Sequence, residues 1–185
     1  MTEKYERFVD NLRKLDDGDR ARLKRNAGNT LSESRDVLGL FYRHLLYNIF
    51  VREDEEEVYF WVATLYPFEK QDRQRKMEGH DGTETAESPT RSRPANFGHS
   101  LHLVRSQENS EGLDRRVERL LDADRQQLPF YLRREVQFVN NESRRFDCID
   151  WPQLLKDLLA WEYPDRYVQR RWARDYFRTQ LEDKA

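Results

Sequence analysis

Cysteine is almost missing from this sequence: Cys148 stands alone among 185 residues. No disulfide can form within the chain, and a lone cysteine suits a reducing cytoplasm. We read Cys148 as a small buried side chain. No apolar run approaches the ~20 residues of a membrane span. The opening Met1-Thr2-Glu3-Lys4-Tyr5-Glu6 lacks the basic start and apolar stretch of a secretion signal. The expected location is therefore cytoplasmic, away from any membrane. An excess of positive charge is also lacking: the formal net charge is −2, which by itself argues against a general nucleic-acid-binding protein.

Catalytic signatures are absent too. His99 and His102 could share a helix face, but no third ligand stands at a recognisable metal spacing. Gly98 belongs to no glycine-rich phosphate loop. No Ser-His-Asp or Cys-His arrangement has a telling spacing. Asp147 with Asp150, or the acidic run 53–57, is explained more simply by helix starts than by a nuclease acid pair. The sequence reads as a non-enzyme with no cofactor and no metal.

What is present is charge of both signs over an ordinary core. Charged residues make up 37% of the chain, well above the roughly 25% of an average domain. Such chains stay disordered only when periodic apolar residues are missing, and here those residues recur at helical spacing almost throughout. Tyr5, Phe8, Val9, Leu12 and Leu15 mark one face of a first helix. Asp17 or Asp19 can cap a second, which carries Ala21 and Leu23 and ends before Gly28. A third spans about 33–47 with Val37, Leu40, Phe41 and Leu45 inward. The run 53–57 starts a fourth, where acidic residues complement the helix dipole. Val58, Trp61, Val62 and Leu65 form its apolar side and Pro67 limits it.

Residues 69–95 hold almost no apolar side chain apart from Met77 and Ala86, too little burial to offset the entropy of ordering. A flexible polar loop is expected there. Helices resume at Asn96-Phe97-Gly98-His99-Ser100-Leu101. The next starts near Glu111 with Leu113, Val117, Leu120 and Leu121. Another has Pro129 in its first turn and presents Phe130, Leu132, Val136 and Val139. Asp150 caps the next, and the last begins near Pro164 with Tyr167, Val168, Trp172, Tyr176 and Phe177. No strand and no fixed-period repeat is evident. The expected fold is all-α, about nine helices packed as two small lobes, 1–68 and 96–185, joined by the loop.

The charge is unevenly spread. Residues 1–52 carry 11 Lys/Arg against 8 Asp/Glu, whereas residues 53–100 carry 6 against 11, so most of the deficit sits in one middle stretch. The basic residues are overwhelmingly arginine, whose planar fork suits phosphate, and they come in pairs. Lys24-Arg25 closes the second helix, with Arg20 and Arg22 close by. Arg115-Arg116 is followed by Arg119. Arg133-Arg134 and Arg144-Arg145 come next, then Arg170-Arg171 with Arg174. Residues three or four apart share a helix face, so Arg116 with Arg119, or Arg170 or Arg171 with Arg174, can present adjacent guanidinium groups to a phosphate backbone. Asp114, Glu118, Asp122, Glu135 and Asp175 could equally neutralise them in surface ion pairs. Tyr163 and Tyr167 are the best candidates for base stacking.

Several stretches resemble one family in shared order. Leu15-Asp-Asp-Gly-Asp-Arg-Ala-Arg-Leu-Lys-Arg25 is similar to the family's opening, a short break and then a helix with a paired basic end. Asn96-Phe-Gly-His-Ser-Leu101 resembles its restart after a variable loop. Residues 115–124 resemble its arginine-led helix, and Leu132-Arg133-Arg134 its internal basic pair. Ile149-Asp-Trp-Pro-Gln-Leu-Leu155 resembles its "aspartate, aromatic, Leu-Leu" start, and residues 170–177 its basic C-terminal helix. By this resemblance, which spans 1–66 and 96–180, the chain is identified as a member of the CasB family, the small subunit of the type I-E CRISPR surveillance complex, Cascade.

The resemblance implies an all-helical, non-catalytic protein present as two copies beside the backbone and large subunits. It implies a basic surface that steadies the crRNA–target duplex and the displaced DNA strand of the R-loop. The residues it points to are Lys24, Arg25, Arg115, Arg116, Arg133, Arg134, Arg170, Arg171 and Arg174. The slightly acidic net charge departs from overtly basic relatives, which shifts weight from stand-alone DNA affinity to the assembly. The competing readings are a helical adaptor that never meets nucleic acid and a hydrolase with an unrecognised acidic site.

Overall fold

The structure, a computed structural model, describes residues 3–69, 94–106, 110–143 and 148–177. The expected loop 69–95 falls almost wholly outside the described residues, as do Arg144 and Arg145. Among the described residues every regular element is helical, and nine are α-helices: α1 (Glu3–Arg13), α2 (Asp17–Arg25), α3 (Leu38–Leu40), α4 (Glu53–Leu65), α5 (Phe97–Leu103), α6 (Ser110–Asp122), α7 (Leu128–Glu142), α8 (Trp151–Leu159) and α9 (Tyr167–Phe177). None of the described helices is long and apolar enough to cross a membrane.

α1 buries Phe8, Val9 and Leu12. Its last turn leaves carbonyls without helical partners, and Arg20 of α2 takes them, donating to Leu15 O at 2.9 Å, Arg13 O at 2.9 Å and Leu12 O at 3.3 Å. The cap of α2 is Asp16 rather than Asp17 or Asp19: its carboxylate accepts the Asp19 N–H at 2.8 Å. A capping side chain must sit on extended backbone just outside the helix, and Asp17 and Asp19 are already inside the first turn. The continuous helix expected over 33–47 is instead three pieces, a 3₁₀ turn Arg35–Val37, α3, and a π turn Phe41–Leu45. The π turn closes with Leu46 N–H on Phe41 O, and the Leu45 carbonyl accepts from the Asn11 side chain at 3.1 Å. Val37, Leu40, Phe41 and Leu45 are all buried, as their spacing predicts.

α4 is less one-sided than its pattern predicts. Every residue from Val58 to Leu65 is buried, because α2, α7 and α8 all pack on it. Pro67 lies in a 3₁₀ turn, Tyr66–Phe68, that ends the run. Along α7 the buried stripe is Leu128, Leu132, Val136 and Val139. Phe130, expected inward, is 69% exposed, since it sits off that i, i+4 stripe. The last helix starts at Tyr167, three residues after Pro164, beyond Arg166 at φ 49°. Asp150 caps α8 as expected, accepting from Gln153 N–H at 2.9 Å. Cys148 is buried, its thiol 3.3 Å from Asn140 Oδ1.

The C-terminal part is held by a close backbone approach. A Cβ on Gly98 of α5 would lie 2.2 Å from the Trp172 carbonyl oxygen of α9, so only glycine lets these helices meet there. Around that point Asn96, the α5 cap, also donates to Asp175, and His102 Nδ1 lies 3.0 Å from Tyr176 O. α8 packs on both α1 and α4, so one buried cluster runs from Phe8 to Tyr176.

Candidate nucleic-acid interface

α6 and α7 lie side by side, with Leu113, Val117 and Leu120 of α6 turned inward. The arginines therefore face outward beside the seam. Arg115, Arg116 and Arg119 of α6 and Arg134 of α7 line one open groove of about 370 Å³, whose floor includes Gly112, Leu113 and Phe138. An adjoining hollow shares Arg115 and Arg119 and adds Glu118, Asp122, Gln127 and Tyr131. Four arginines thus meet along one groove, and the carboxylates of Glu118 and Asp122 line the hollow beside it.

These four arginines are not equivalent. Arg119 and Arg134 are exposed, and neither side chain makes a hydrogen bond or ion pair among the described residues. Arg115 is exposed but pairs with Glu111 one turn earlier. Arg116 is largely covered: its side chain is 20% exposed and its Nη2 lies 3.1 Å from Oε2 of Glu135, which is 1% exposed. The guanidinium also lies over the Phe138 ring, 4.2 Å from the centroid. Burial pushes the Glu135 carboxyl above its ordinary range, and the charges of Arg116 and Arg134 pull it back.

The other candidates lie in two further places. At the end of α2, Lys24 lies over the Phe68 ring at 4.7 Å, and the exposed Arg25 side chain makes no hydrogen bond or ion pair among the described residues. Arg133 reaches across to donate to Ala27 O at 2.6 Å, so it ties α7 to the end of α2. Gly28 beside it has φ +94°, and a Cβ there would sit 3.1 Å from Arg133 Nη1. On α9, Arg170 and Arg174 are exposed, and their side chains make no hydrogen bond or ion pair among the described residues. Arg171 instead pairs with the buried Asp157 carboxylate of α8. That carboxylate also accepts from Trp172 Nε1 at 2.7 Å and Gln153 Nε2 at 2.6 Å. Tyr163 and Tyr167 are partly exposed next to this face, ring centroids 5.7 Å apart.

The basic pairs thus divide between anchored and open members. Arg133 and Arg171 are committed to the fold and Arg116 to Glu135, while Arg134, Arg170 and Arg119 keep open guanidinium groups. Arg119 is outside the set of residues the resemblance points to, although its i, i+4 relation to Arg115 is the signal that places it in the groove. His99 and His102 serve locally, His99 Nδ1 accepting from Ala95 N–H at 3.3 Å and His102 meeting the Tyr176 carbonyl.

A family model described as CRISPR-associated protein Cse2 matches residues 19–177. The chain belongs to the Cse2 (CasB) family. The matched stretch contains every candidate residue from Lys24 to Arg174 and all helices from α5 onward. Cse2 of Thermus thermophilus is 33% identical over 128 residues, covering 68% of this chain. That alignment spans 59% of the relative's own length. The crystal structure of M. ruber CasB superposes with a TM-score of 0.73 at 26% identity, covering 98% of this chain and 96% of that one. A chain of a CRISPR RNA-guided surveillance complex gives the same TM-score at 23% identity, covering 99% and 98%, a likeness of fold. The all-helical Cse2 fold expected from the sequence is the one observed.

Proposed function

We propose that this chain is a non-catalytic small subunit of a type I-E CRISPR surveillance complex, and that it holds nucleic-acid backbone through its exposed arginines. Its partners in this reading are the backbone and large subunits of Cascade, a second copy of itself, the crRNA and the target DNA. The observation that carries the reading is the α6–α7 groove, where Arg115, Arg116, Arg119 and Arg134 converge in a chain of the Cse2 family. Arg25, Arg170 and Arg174 extend the same chemistry to other faces.

The energetics favour such a role. By analogy with other RNA-guided effectors, exchanging a DNA duplex for an RNA–DNA hybrid is nearly neutral, so modest backbone contacts tip it. Phosphate contacts position a strand without reading sequence, which is what a subunit serving any guide requires. The net charge of −2 limits affinity of the isolated chain, so the displaced strand and the guide–target duplex are best gripped within the assembly.

The test is target binding by the assembled complex carrying Arg119→Ala with Arg134→Ala, or Arg170→Ala with Arg174→Ala. Assembly and guide content should persist while R-loop formation weakens for every target sequence. The dependence on log salt should become shallower by roughly one unit per lost contact. Variants that assemble and hold the R-loop like wild type at every salt concentration would leave the helical adaptor as the better reading.

A further inference from the structure

Resting on the backbone-gripping reading of the α6–α7 groove, we infer that Glu135 is a built-in counter-charge that sets the strength of that grip by holding Arg116 out of it. Two of the four groove arginines have a carboxylate partner: Arg115 meets the exposed Glu111, whereas the partner of Arg116 is buried beneath it. Glu135 projects from α7 into the seam, is 1% exposed, and lies 3.1 Å from Arg116 Nη2. Arg134, its neighbour in sequence, stays exposed in the same groove.

The pairing is a close charge contact inside the seam between the two helices. The Arg116 guanidinium, with Nη2 3.1 Å from this carboxylate, also lies over the Phe138 ring, 4.2 Å from the centroid, and its Nε and Nη2 are buried. What the arrangement does supply is cancellation of one positive charge, so phosphate meets Arg115, Arg119 and Arg134 as the gripping cations and Arg116 as a wall. A subunit serving every target must let strands in and out, and a buried carboxylate lowers the field of the groove without occupying it.

The experiment compares Glu135→Gln, Arg116→Gln, Arg119→Gln and Arg134→Gln in the assembled complex. Affinity for a target duplex is measured from 50 to 200 mM salt, and thermal melting checks that each variant folds. Freeing Arg116 adds one cation per copy, so Glu135→Gln should bind more tightly at 50 mM. With one extra contact in each of two copies, it should then lose about 10-fold more affinity than wild type on going to 200 mM, about 3-fold per contact. Arg116→Gln should weaken binding less than Arg119→Gln or Arg134→Gln. If Glu135→Gln does not fold, that ranking of the three arginine variants decides the matter. Loss of binding in Arg119→Gln and Arg134→Gln, together with an equal loss in Arg116→Gln or an unchanged slope in Glu135→Gln, overturns the role of Glu135 and leaves the groove intact. No change in any of the four overturns both.

Discussion

Replacing Gly98 by alanine should be among the most damaging single-methyl changes in this protein. The added Cβ would lie 2.2 Å from Trp172 O, 2.7 Å from Trp172 Cα and 2.8 Å from Trp172 C. All three are backbone atoms, so no side chain can rotate away, and α5 must move from α9 by about 1 Å to restore an ordinary contact. Such a shift would disturb the Phe97–Trp172 ring contact at 5.3 Å, the Asn96–Asp175 bond and the His102–Tyr176 contact. Overpacking a core by one methylene typically costs 1–3 kcal/mol, and an immovable obstacle places this case at about 3 kcal/mol or more. In a chain of this size each kcal/mol shifts Tm by roughly 2–4 °C, so a fall of about 6–12 °C is expected. Gly39 is the matched control. It lies in α3, where an added Cβ would meet nothing within 4 Å, and Gly39→Ala should raise stability by about 0.5–1 kcal/mol. Calorimetry or circular dichroism melts of both variants settle it. A Gly98→Ala protein melting at or above wild type would refute the argument that backbone contact at this crossing fixes α9.

Asp114 of α6 ties α9 to the segment after α5: it accepts from Arg105 Nε and Nη2, at 2.9 and 2.8 Å, and from the Tyr176 hydroxyl at 2.6 Å. Arg105 holds its carboxyl below the usual range, so this contribution is present at neutral pH and fades as pH falls through that depressed value. Asp114→Asn should therefore cost about 1–3 kcal/mol at pH 7, with the gap to wild type closing only in acid below about pH 4; a constant gap in a pH series of urea melts would contradict the linkage. Arg133→Met should lower stability by about 1.5–3 kcal/mol through loss of the bond to Ala27 O. Arg134→Met should leave the melt nearly unchanged and affect strand binding instead; equal melting losses in the two would show that the pair does not divide its roles.

Much of the fold is legible in the sequence because local chemistry decides it. The acidic opening of α4, the cap at Asp150 and the apolar stripes of α1 and α6 depend on residues within a turn or two of each other. The α2 cap falls one residue before the expected pair because Asp16, Asp17 and Asp19 are chemically alike, and only backbone conformation selects among them. The π turn at Phe41–Leu45 is invisible in the pattern because its carbonyl is satisfied by Asn11, which comes from a different helix. The site shows the same divide. Sequence locates the arginine pairs, but which member is anchored depends on partners far along the chain: Glu135 for Arg116, Ala27 for Arg133, Asp157 for Arg171. Spacing on one helix cannot reveal a carboxylate supplied by another.

The burial of α4 on every side also bears on how the chain is made. Val58–Leu65 find their cover partly in α8, which begins at Trp151. About 86 positions separate Leu65 from Trp151, and at synthesis rates of about 5–20 residues per second that is a delay of roughly 4–17 s. During that interval the nascent chain holds an aromatic, apolar segment that cannot yet be fully shielded. The five acidic residues at 53–57 stand immediately ahead of it, a block of like charge placed to keep neighbouring nascent chains apart. The run that starts the helix in the finished protein would thus act as its gatekeeper on the ribosome.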